Sequence, residues 1–335
     1  MKWLRDHRKY LLILAILVVV ELVALYYPLD FIVYHGGQAT DLSPYVIVEN
    51  GDTNDVGTLY MLSIYTSRGT GALWIRSLFD EDMDIKPIQA VMPQDMSMEE
   101  YQEQMKKNMS DSQKKATLLA LQTAGLPVEV EGGGLLINGF TENTKMKDVL
   151  REGDVLLSFQ GQRLLLNEDL QLKLKQKSPG DTIGLTVLRE GVTREVEGVL
   201  VGDENGNAKL GIYISPQAWS VQYHQSIEFA DEEIGGGSAG LMMTLQILNQ
   251  LIENDITAGH QIAGTGTIRL DGSIGPIEGV RQKLRAAEQA HAEYFLVASE
   301  NAEQAKELAK EIQVVSVATL QEALQFLQTL PPRYE

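Results

Sequence analysis

Residues 234–242 read Ile-Gly-Gly-Gly-Ser-Ala-Gly-Leu-Met and lead into an apolar stretch whose spacing predicts a helix over 238–254. Ser238 would stand behind three flexible glycines at the start of that helix. Backbone N–H groups and the positive end of a helix dipole lie near such a position, and these are the components of an oxyanion hole. Ser238 is therefore a candidate nucleophile. The alternative is that Ser238 only caps the helix.

A lysine on the apolar side of a later helix is a candidate partner for this serine. On a helical wheel of residues 278–291, drawn at about 100° per residue, Lys283 and His291 fall on the apolar arc. The remaining charged residues and both glutamines of this stretch fall outside the arc. A lysine amine can accept the serine proton at neutral pH only when burial lowers its pKa from the usual ~10.4. The alternative is a lysine whose amine extends to solvent.

The rest of the chain shows strand and helix patterns separated by turn residues. Strands are expected over 46–48, 59–65 and 73–75, followed by a helix over 98–123 that Gly125 closes. From residue 210 onward, strand patterns alternate with helix patterns to the end of the chain.

A compact β module with one helix is predicted over 126–200. Its segments 150–157, Leu-Arg-Glu-Gly-Asp-Val-Leu-Leu, and 178–182, Ser-Pro-Gly-Asp-Thr, resemble the PDZ domain. In that family an extended peptide adds a strand to the sheet edge, and a glycine-containing loop binds its terminal carboxylate. The resemblance implies that the peptide-binding residues are Gly133, Gly134, Leu135 and Leu136. The alternative is a β module with a structural role only.

Three segments that occur in order carry a second resemblance: 234–242, then 262–268 (Ile-Ala-Gly-Thr-Gly-Thr-Ile), then 271–280 (Asp-Gly-Ser-Ile-Gly-Pro-Ile-Glu-Gly-Val) before Lys283. They look like the proteolytic domain of the Lon family. More closely, the chain is similar to the membrane-anchored, PDZ-containing Lon-like serine proteases of Gram-positive bacteria. The resemblance implies an α+β fold class with an N-terminal transmembrane helix, a PDZ β module and a Lon-type proteolytic domain.

The same resemblance implies roles for individual residues. Ser238 would be the nucleophile and Lys283 the general base of a Ser–Lys dyad, and Thr265 would orient the lysine amine. Backbone N–H groups around Gly235, Gly236, Gly237 and Ser238 would stabilise the oxyanion. Two positions depart from the family pattern: Gly237 stands where proline is usual, and Glu278 stands where glycine is commoner.

The domain layout follows from the length of the C-terminal region. Residues 204–330 are few for a whole Lon-type fold, so its first part is expected within 29–125. The PDZ domain at 126–200 would then be inserted in the proteolytic domain, after a tail and membrane anchor over 1–28. The alternative is that 29–125 forms a separate domain or stalk.

The N-terminal residues predict membrane attachment. Four basic residues (Lys2, Arg5, Arg8 and Lys9) precede an apolar run over 11–27 that only Glu21 interrupts. The run has about the length needed to cross a bilayer. No Lys or Arg follows until Arg68, so the positive-inside rule predicts a cytoplasmic N-terminus and an extracellular catalytic part. The alternative is a cleaved signal peptide, although no A-x-A-like site follows the run.

Composition argues against several chemistries. The 46 acidic and 28 basic residues give a net charge of −18, which argues against nucleic acid as the partner. With no cysteine there is no disulfide, Cys-ligated zinc or cysteine nucleophile. The five histidines show no metal-ligand spacing, and no G-x-x-x-x-G-K-[ST] motif occurs. We therefore expect no metal or other cofactor. The expected substrates are peptides or proteins, and we expect their hydrolysis to need no ATP.

Two other functions stay open at this point. Residues 236–240 also fit the G-x-S-x-G motif of α/β-hydrolases, in which Ser238, Asp271 and His291 would form an esterase triad. A chain without catalysis would instead be a membrane scaffold that binds peptides through its PDZ module.

Overall fold

The computed structural model describes residues 8–53, 56–92, 96–230 and 234–333. They divide into two compact units: residues up to 124 and from 225 onward form unit one, and residues 125–224 form unit two. Unit one is thus built from two chain segments that flank unit two in the sequence. Residues 204–224, which sequence analysis placed with the C-terminal region, belong to unit two.

The first segment of unit one contains the elements α1 (Arg8–Tyr26), β1 (Pro28–Asp41), β2 (Val46–Val48), β3 (Thr58–Thr70), α2 (Gly71–Ser77), β4 (Asp84–Pro87), α3 (Ile88–Val91) and α4 (Met98–Thr123). The helix predicted over 98–123 is confirmed as α4. It begins with a capping box, in which the Ser97 side chain accepts from the N–H of Glu100 and the Glu100 carboxylate accepts from the N–H of Ser97.

Unit two contains the elements β5 (Val128–Gly132), β6 (Leu135–Phe140), a short 3-10 helix (Met146–Asp148), β7 (Val155–Phe159), β8 (Gln162–Arg163), α5 (Asn167–Lys175), β9 (Thr182–Arg189), β10 (Val192–Val199), β11 (Val201–Gly202), β12 (Ala208–Lys209), β13 (Ile212–Pro216) and β14 (Trp219–Tyr223). The main sheet has the order β10-β9-β7-β6-β13 with antiparallel neighbours. Apolar side chains of this sheet and of α5, among them Leu135, Phe159 and Leu170, form its core.

The second segment of unit one contains the elements β15 (Ile227–Phe229), α6 (Gly240–Leu251), β16 (Gln261–Thr265), β17 (Thr267–Ile268), β18 (Ile274–Gly275), α7 (Val280–Gln289), β19 (Tyr294–Ala298), α8 (Ser299–Leu308), β20 (Gln313–Val317) and α9 (Leu320–Gln328). With the first segment it builds one six-stranded sheet of order β20-β19-β16-β3-β1-β4. Strands β20, β19, β16 and β3 are parallel, whereas β1 is antiparallel to β3 and β4. The fold is therefore mixed α/β, which corrects the predicted α+β class for unit one.

Helices α6 and α7 cover opposite faces of this sheet at β16. Ala263 packs in one core cluster with Val280 and Leu284 of α7. The next residue, Gly264, faces α6, because a Cβ at this position would clash with the sulfur of Met242. Side chains alternate along a strand, so Thr265 lies on the same face as Ala263, towards α7.

The strand expected over 73–75 is not observed, because these residues lie in α2. Thr70 ends β3 and caps the new helix: its Oγ1 accepts from the N–H of Leu73 at 3.2 Å. Trp74 and Ile75 are exposed, so neither has the buried face that the strand interpretation required.

The apolar run over 11–27 forms α1. Between Leu12 and Val23 its large apolar side chains are about half exposed, from 45% at Val18 to 59% at Val20. Across the described residues, no helix combines the length and the apolar character needed to cross a membrane, so the predicted span is not supported. Lys2 and Arg5 of the predicted cytoplasmic tail lie outside the described residues.

Candidate active site

The glycine-rich loop that carries Ser238 is held against α4. The N–H of Gly236 donates to the carbonyl oxygen of Met105 at 2.8 Å, and the Ser112 hydroxyl donates to the carbonyl oxygen of Gly237 at 3.1 Å. Gly236 has a φ of +95°, a conformation that a side chain would strain. The conformation of the loop therefore depends on a helix that lies far away in the sequence.

Ser238 itself does not cap α6. The N-cap is Ala239, the helix begins at Gly240, and no side chain makes a capping hydrogen bond there. The Ser238 side chain is half-buried and contacts the lysine instead. Thr265 of β16 and Gly266 directly after it hold the backbone of Ser238 in place. The Ser238 carbonyl accepts from the N–H of Gly266 at 2.8 Å and from the Thr265 hydroxyl at 3.2 Å.

Three predicted site residues meet at one point. The Nζ of Lys283 lies 2.8 Å from the Oγ of Ser238 and 3.1 Å from the Oγ1 of Thr265. Thr265 reaches this point from the face of β16 that α7 covers. Lys283 comes from the second turn of α7, and a helical side chain leans back towards the N-terminus of its helix. The separation of serine and lysine is within direct proton-transfer range.

The lysine has the environment that a base requires. Its side chain is only 3% exposed, and Thr265 is fully buried. This burial lowers the pKa of Lys283 from its ordinary value to about 7, against an opposing, smaller effect of the Glu278 charge. A substantial fraction of the amine is therefore neutral near pH 7 and able to accept a proton from Ser238.

The N–H groups of the loop differ in availability. That of Gly236 is engaged by Met105. Those of Gly235, Gly237, Ser238 and Ala239 have no backbone acceptor among the described residues. Ser238 and Ala239 also immediately precede the positive end of α6, where backbone N–H groups can donate to an oxyanion.

The residues of the alternative esterase triad do not come together. His291 is exposed beyond the end of α7, with a φ of +55°. Asp271 accepts hydrogen bonds from the backbone and hydroxyl of Ser273 within its own turn. Among the described residues, no hydrogen bond joins His291 to Ser238 or to Asp271.

Of the predicted peptide-binding residues of the PDZ module, Leu135 and Leu136 lie in β6, which is paired on both sides, and Gly133 and Gly134 lie in the loop before it. Leu135 and Leu136 pair with Leu156 and Val155 of β7 on one side, and with Pro216 and Ser215 of β13 on the other. The flanking loop is also closed, since Gly133 donates to Ala218 and Gly134 accepts from Gln217. β13 thus already fills the edge of β6 at which the prediction expects a peptide to add. In the main sheet, β13 is the strand at the end.

Sequence reasoning missed the contribution of α4. Met105 and Ser112 contact the nucleophile loop, and Ser112 is buried at 3% exposure. A buried serine inside a helix rich in polar residues carries no pattern that distinguishes it from its neighbours. Only the packing of α4 against the nucleophile loop shows its role.

Comparison with known proteins yields two family matches. Residues 232–329 match the Lon protease (S16) C-terminal proteolytic domain, and residues 124–199 match the PDZ domain. Both domains are therefore present in the chain. Ser238, Thr265 and Lys283 all lie within the first match, whereas β1, β3 and α4 lie outside both.

Similar curated proteins share only this region. Lon protease 2 of Bacillus subtilis is 33% identical over 99 residues, 30% of this chain and 18% of that protein. The Lon protease of Haemophilus influenzae is 32% identical over 101 residues, 29% of this chain and 12% of that protein. The matched region thus spans less than a fifth of either relative.

Among solved structures, the PDZ domain of an SdrC-like protein from Listeria monocytogenes matches at 20% identity and a TM-score of 0.24. It covers 26% of this chain and 92% of that chain.

The two family matches, the Lon relatives and the site geometry together support a serine endopeptidase with a Ser–Lys dyad.

Proposed function

We propose that this chain is an ATP-independent serine endopeptidase, in which Ser238 is the nucleophile and Lys283 the general base. The observation that carries the proposal is the buried amine of Lys283 at 2.8 Å from the Ser238 Oγ. Its pKa of about 7 makes the neutral amine available under ordinary conditions.

The reaction proceeds by acyl transfer. The neutral amine of Lys283 takes the hydroxyl proton while the Oγ of Ser238 attacks the peptide carbonyl. The N–H groups of Ser238 and Ala239 stabilise the resulting oxyanion. The ammonium of Lys283 then gives its proton to the leaving amine, which leaves an acyl-serine. Lys283 next takes a proton from a water molecule while the water oxygen attacks the acyl-serine ester. When Lys283 returns this proton to the Oγ of Ser238, the acid product is released and the serine hydroxyl is restored.

Thr265 keeps the lysine in position through this sequence. Its Oγ1 lies within hydrogen-bond distance of both the Lys283 amine and the Ser238 carbonyl oxygen. It therefore links the backbone of the nucleophile to the tip of the base. We assign Thr265 a positioning role.

The direct test is peptide cleavage by purified wild-type and Ser238→Ala protein. We expect the wild type to cleave unfolded casein and the alanine variant to be inactive, with equal thermal unfolding midpoints. Addition of ATP and Mg²⁺ should leave the wild-type rate unchanged, because the 335 residues contain no phosphate-binding G-x-x-x-x-G-K-[ST] motif. Full activity of Ser238→Ala would exclude serine catalysis. Inactivity of both proteins, with both folded, would favour the scaffold function.

The PDZ unit is proposed to bind an extended peptide along β13 rather than along β6. Three features support this: β13 ends the main sheet, it contacts α5, and Gly211 just before it has a φ of +69°. The carbonyls of Leu210 and Gly211 are engaged by Thr144 and Thr141, and the Gly211 N–H has no backbone acceptor among the described residues. The Gly211 N–H can therefore donate a hydrogen bond to a terminal carboxylate.

Binding at this edge is tested with pairs of peptides that differ only in a free or amidated C-terminus. NMR shifts confined to residues 210–216, with tighter binding of the free carboxylate, are expected. Shifts centred on 133–136, or equal binding of both peptides, would contradict the assignment.

Location outside the cytoplasm and attachment through the N-terminal helix stay proposals from the sequence. They rest on the four basic residues before the apolar run and on the absence of Lys and Arg between that run and Arg68. Protease added to intact cells should digest the chain from outside if the proposal is right. Complete protection until the cells are lysed would contradict it.

A further inference from the structure

One face of α4 leads from the nucleophile loop to a small apolar cluster. Met105 contacts the loop at Gly235 and Gly236, and Tyr101 lies one helical turn before Met105. Tyr101 packs in a cluster with the buried Tyr34 of β1 and with Ile64 of β3. Since one turn of a helix is about 5.4 Å, this cluster lies within the length of a peptide side chain from the loop.

Glu278 stands at the edge of this cluster. It immediately precedes Gly279, the N-cap of α7, whose position lies against the Ile64 side chain: a Cβ there would come within 2.7 Å of its Cδ1. Burial is the main cause of the raised pKa of both Tyr34 and Tyr101, and the negative charge of Glu278 adds to it. It also acts on the pKa of Lys283. The carboxylate therefore lies within electrostatic reach of both phenol rings and of the reacting amine.

The Glu278 carboxylate is exposed and has no ion pair or hydrogen bond among the described residues. Its neighbours are arranged differently. Arg281 lies 3.9 Å from Asp84, and Arg285 pairs with Asp82 and Glu288. Arg281 and Arg285 thus contact other acids and leave Glu278 available.

These features match the chemistry of a basic side chain. The methylenes of lysine or arginine pack on apolar and aromatic surface, while the charged end seeks a carboxylate. The partly exposed ring of Tyr101 adds a favourable face for a cation. A neutral side chain would leave the Glu278 carboxylate unpaired, and an acidic side chain would be repelled by it.

We propose that Glu278 and Tyr101, whose ring packs with the buried Tyr34, form a subsite that binds a lysine or arginine side chain of the peptide substrate, close to the scissile bond. The subsite rests on the proposed peptidase function and narrows its substrate class to basic peptides. The subsite also gives a role to Glu278, which stands at a position where glycine is commoner in the family that the 271–280 segment resembles.

The test is the cleavage of a proteome-derived peptide library, with cut sites identified by mass spectrometry. Wild-type protein should show Lys and Arg enriched at one position beside the cut. A matched peptide pair with Lys or norleucine at that position should then differ in kcat/KM by about fivefold, the size expected of a partly exposed charge pair. Glu278→Gln should bring this ratio to about one, and Glu278→Lys should favour Asp or Glu at the same position.

Glu303→Gln, an exposed glutamate on α8, is the matched control and should keep the wild-type preference. If Glu278→Lys fails to fold, the ratio of kcat/KM for the Lys and norleucine peptides in Glu278→Gln decides whether the subsite exists. Cleavage that depends on Ser238 but shows no basic preference, or a preference that survives in Glu278→Gln, would overturn the subsite and leave the proposed function standing. Absence of any cleavage that depends on Ser238 would overturn both.

Discussion

The two chain segments of unit one serve the same site in different ways. The segment after unit two supplies the three groups that meet there, Ser238, Thr265 and Lys283. The segment before it supplies α4, whose Ser112 and Met105 hold the nucleophile loop. The Lon family match covers the first group and not the second. Ser238, Lys283 and the positioning residue Thr265 are thus recognisable by motif, whereas the residues of α4 that hold the loop are recognisable only by packing.

The largest effect should come from the second segment. Lys283→Met keeps an unbranched side chain of similar length but removes the amine, so no base remains within reach of Ser238. We expect kcat to fall by about 10²–10⁴-fold, the range that general base catalysis supplies. The measurement is kcat for a quenched fluorescent peptide. Lys306→Met on α8, where the lysine is exposed, is the control and should keep wild-type activity. A Lys283→Met enzyme with full kcat would remove the dyad.

The pH dependence of kcat/KM tests the same amine without a mutation. Below its pKa of about 7, Lys283 is protonated and cannot accept the serine proton. Activity should therefore fall about tenfold per pH unit below 7 and level off above it. An activity that still rises tenfold per unit between pH 8 and 10 would show a lysine with an ordinary pKa.

Stability should follow the same titration with a defined sign. The folded-state pKa lies below the unfolded value, so the unfolded chain binds one more proton at any pH between about 7 and 10.5. Stability therefore rises with pH across this window, by about 1.4 kcal/mol per unit from this group, and the effect fades below pH 7. Lys283→Met should lose this contribution, as measured by urea unfolding at several pH values.

Thr265→Val should have a smaller effect, because it removes positioning and not chemistry. The valine keeps the shape of the side chain but makes no hydrogen bond to the lysine amine or to the Ser238 carbonyl. We expect kcat to fall about tenfold, the cost of a hydrogen bond to a group that becomes charged, with little change in KM. Thr66→Val at an exposed position of β3 is the control. A higher KM with an unchanged kcat would instead indicate that Thr265 contacts the substrate.

The site was predictable from the sequence where local pattern decides it. Lys283 follows from the amphipathic pattern of α7, and Ser238 from the glycines before an apolar helix. The same wheel is wrong for Gln282, which is fully buried. Its amide is satisfied there because it donates to the carbonyl of Asp82 and to the carboxylate of Asp84. Those partners belong to the other segment, and no local pattern contains them.

His291 shows a second limit of local pattern. The wheel places it on the inward face, but α7 ends at Gln289, so His291 lies beyond the last turn and is exposed. Periodicity gives the face of a helix only as far as the helix continues, and element ends are the least certain part of a sequence-based prediction.

Non-local strand pairing is the part of the fold that the sequence could not show. β1 pairs with β3 and β4, and its irregular register near Gly37 hides the alternation that marks a strand. In unit two, β13 pairs with β6 across more than 70 residues of chain, and this pairing moves the open sheet edge away from 133–136. Pairings of this kind depend on tertiary packing and not on propensity.

The smallest effect tests whether the first segment does more than enclose the site. Ser112→Ala removes the hydroxyl that donates to the Gly237 carbonyl, while the loop keeps its hydrogen bond to Met105. One neutral hydrogen bond is worth about 1 kcal/mol, so kcat should fall about fivefold as the Ser238 Oγ loses its fixed distance to the lysine. Ser110→Ala on the exposed side of α4 is the matched control. If Ser112→Ala lowers the unfolding midpoint but leaves kcat and its pH profile unchanged, α4 only supports the fold, and the nucleophile loop is positioned by its own segment.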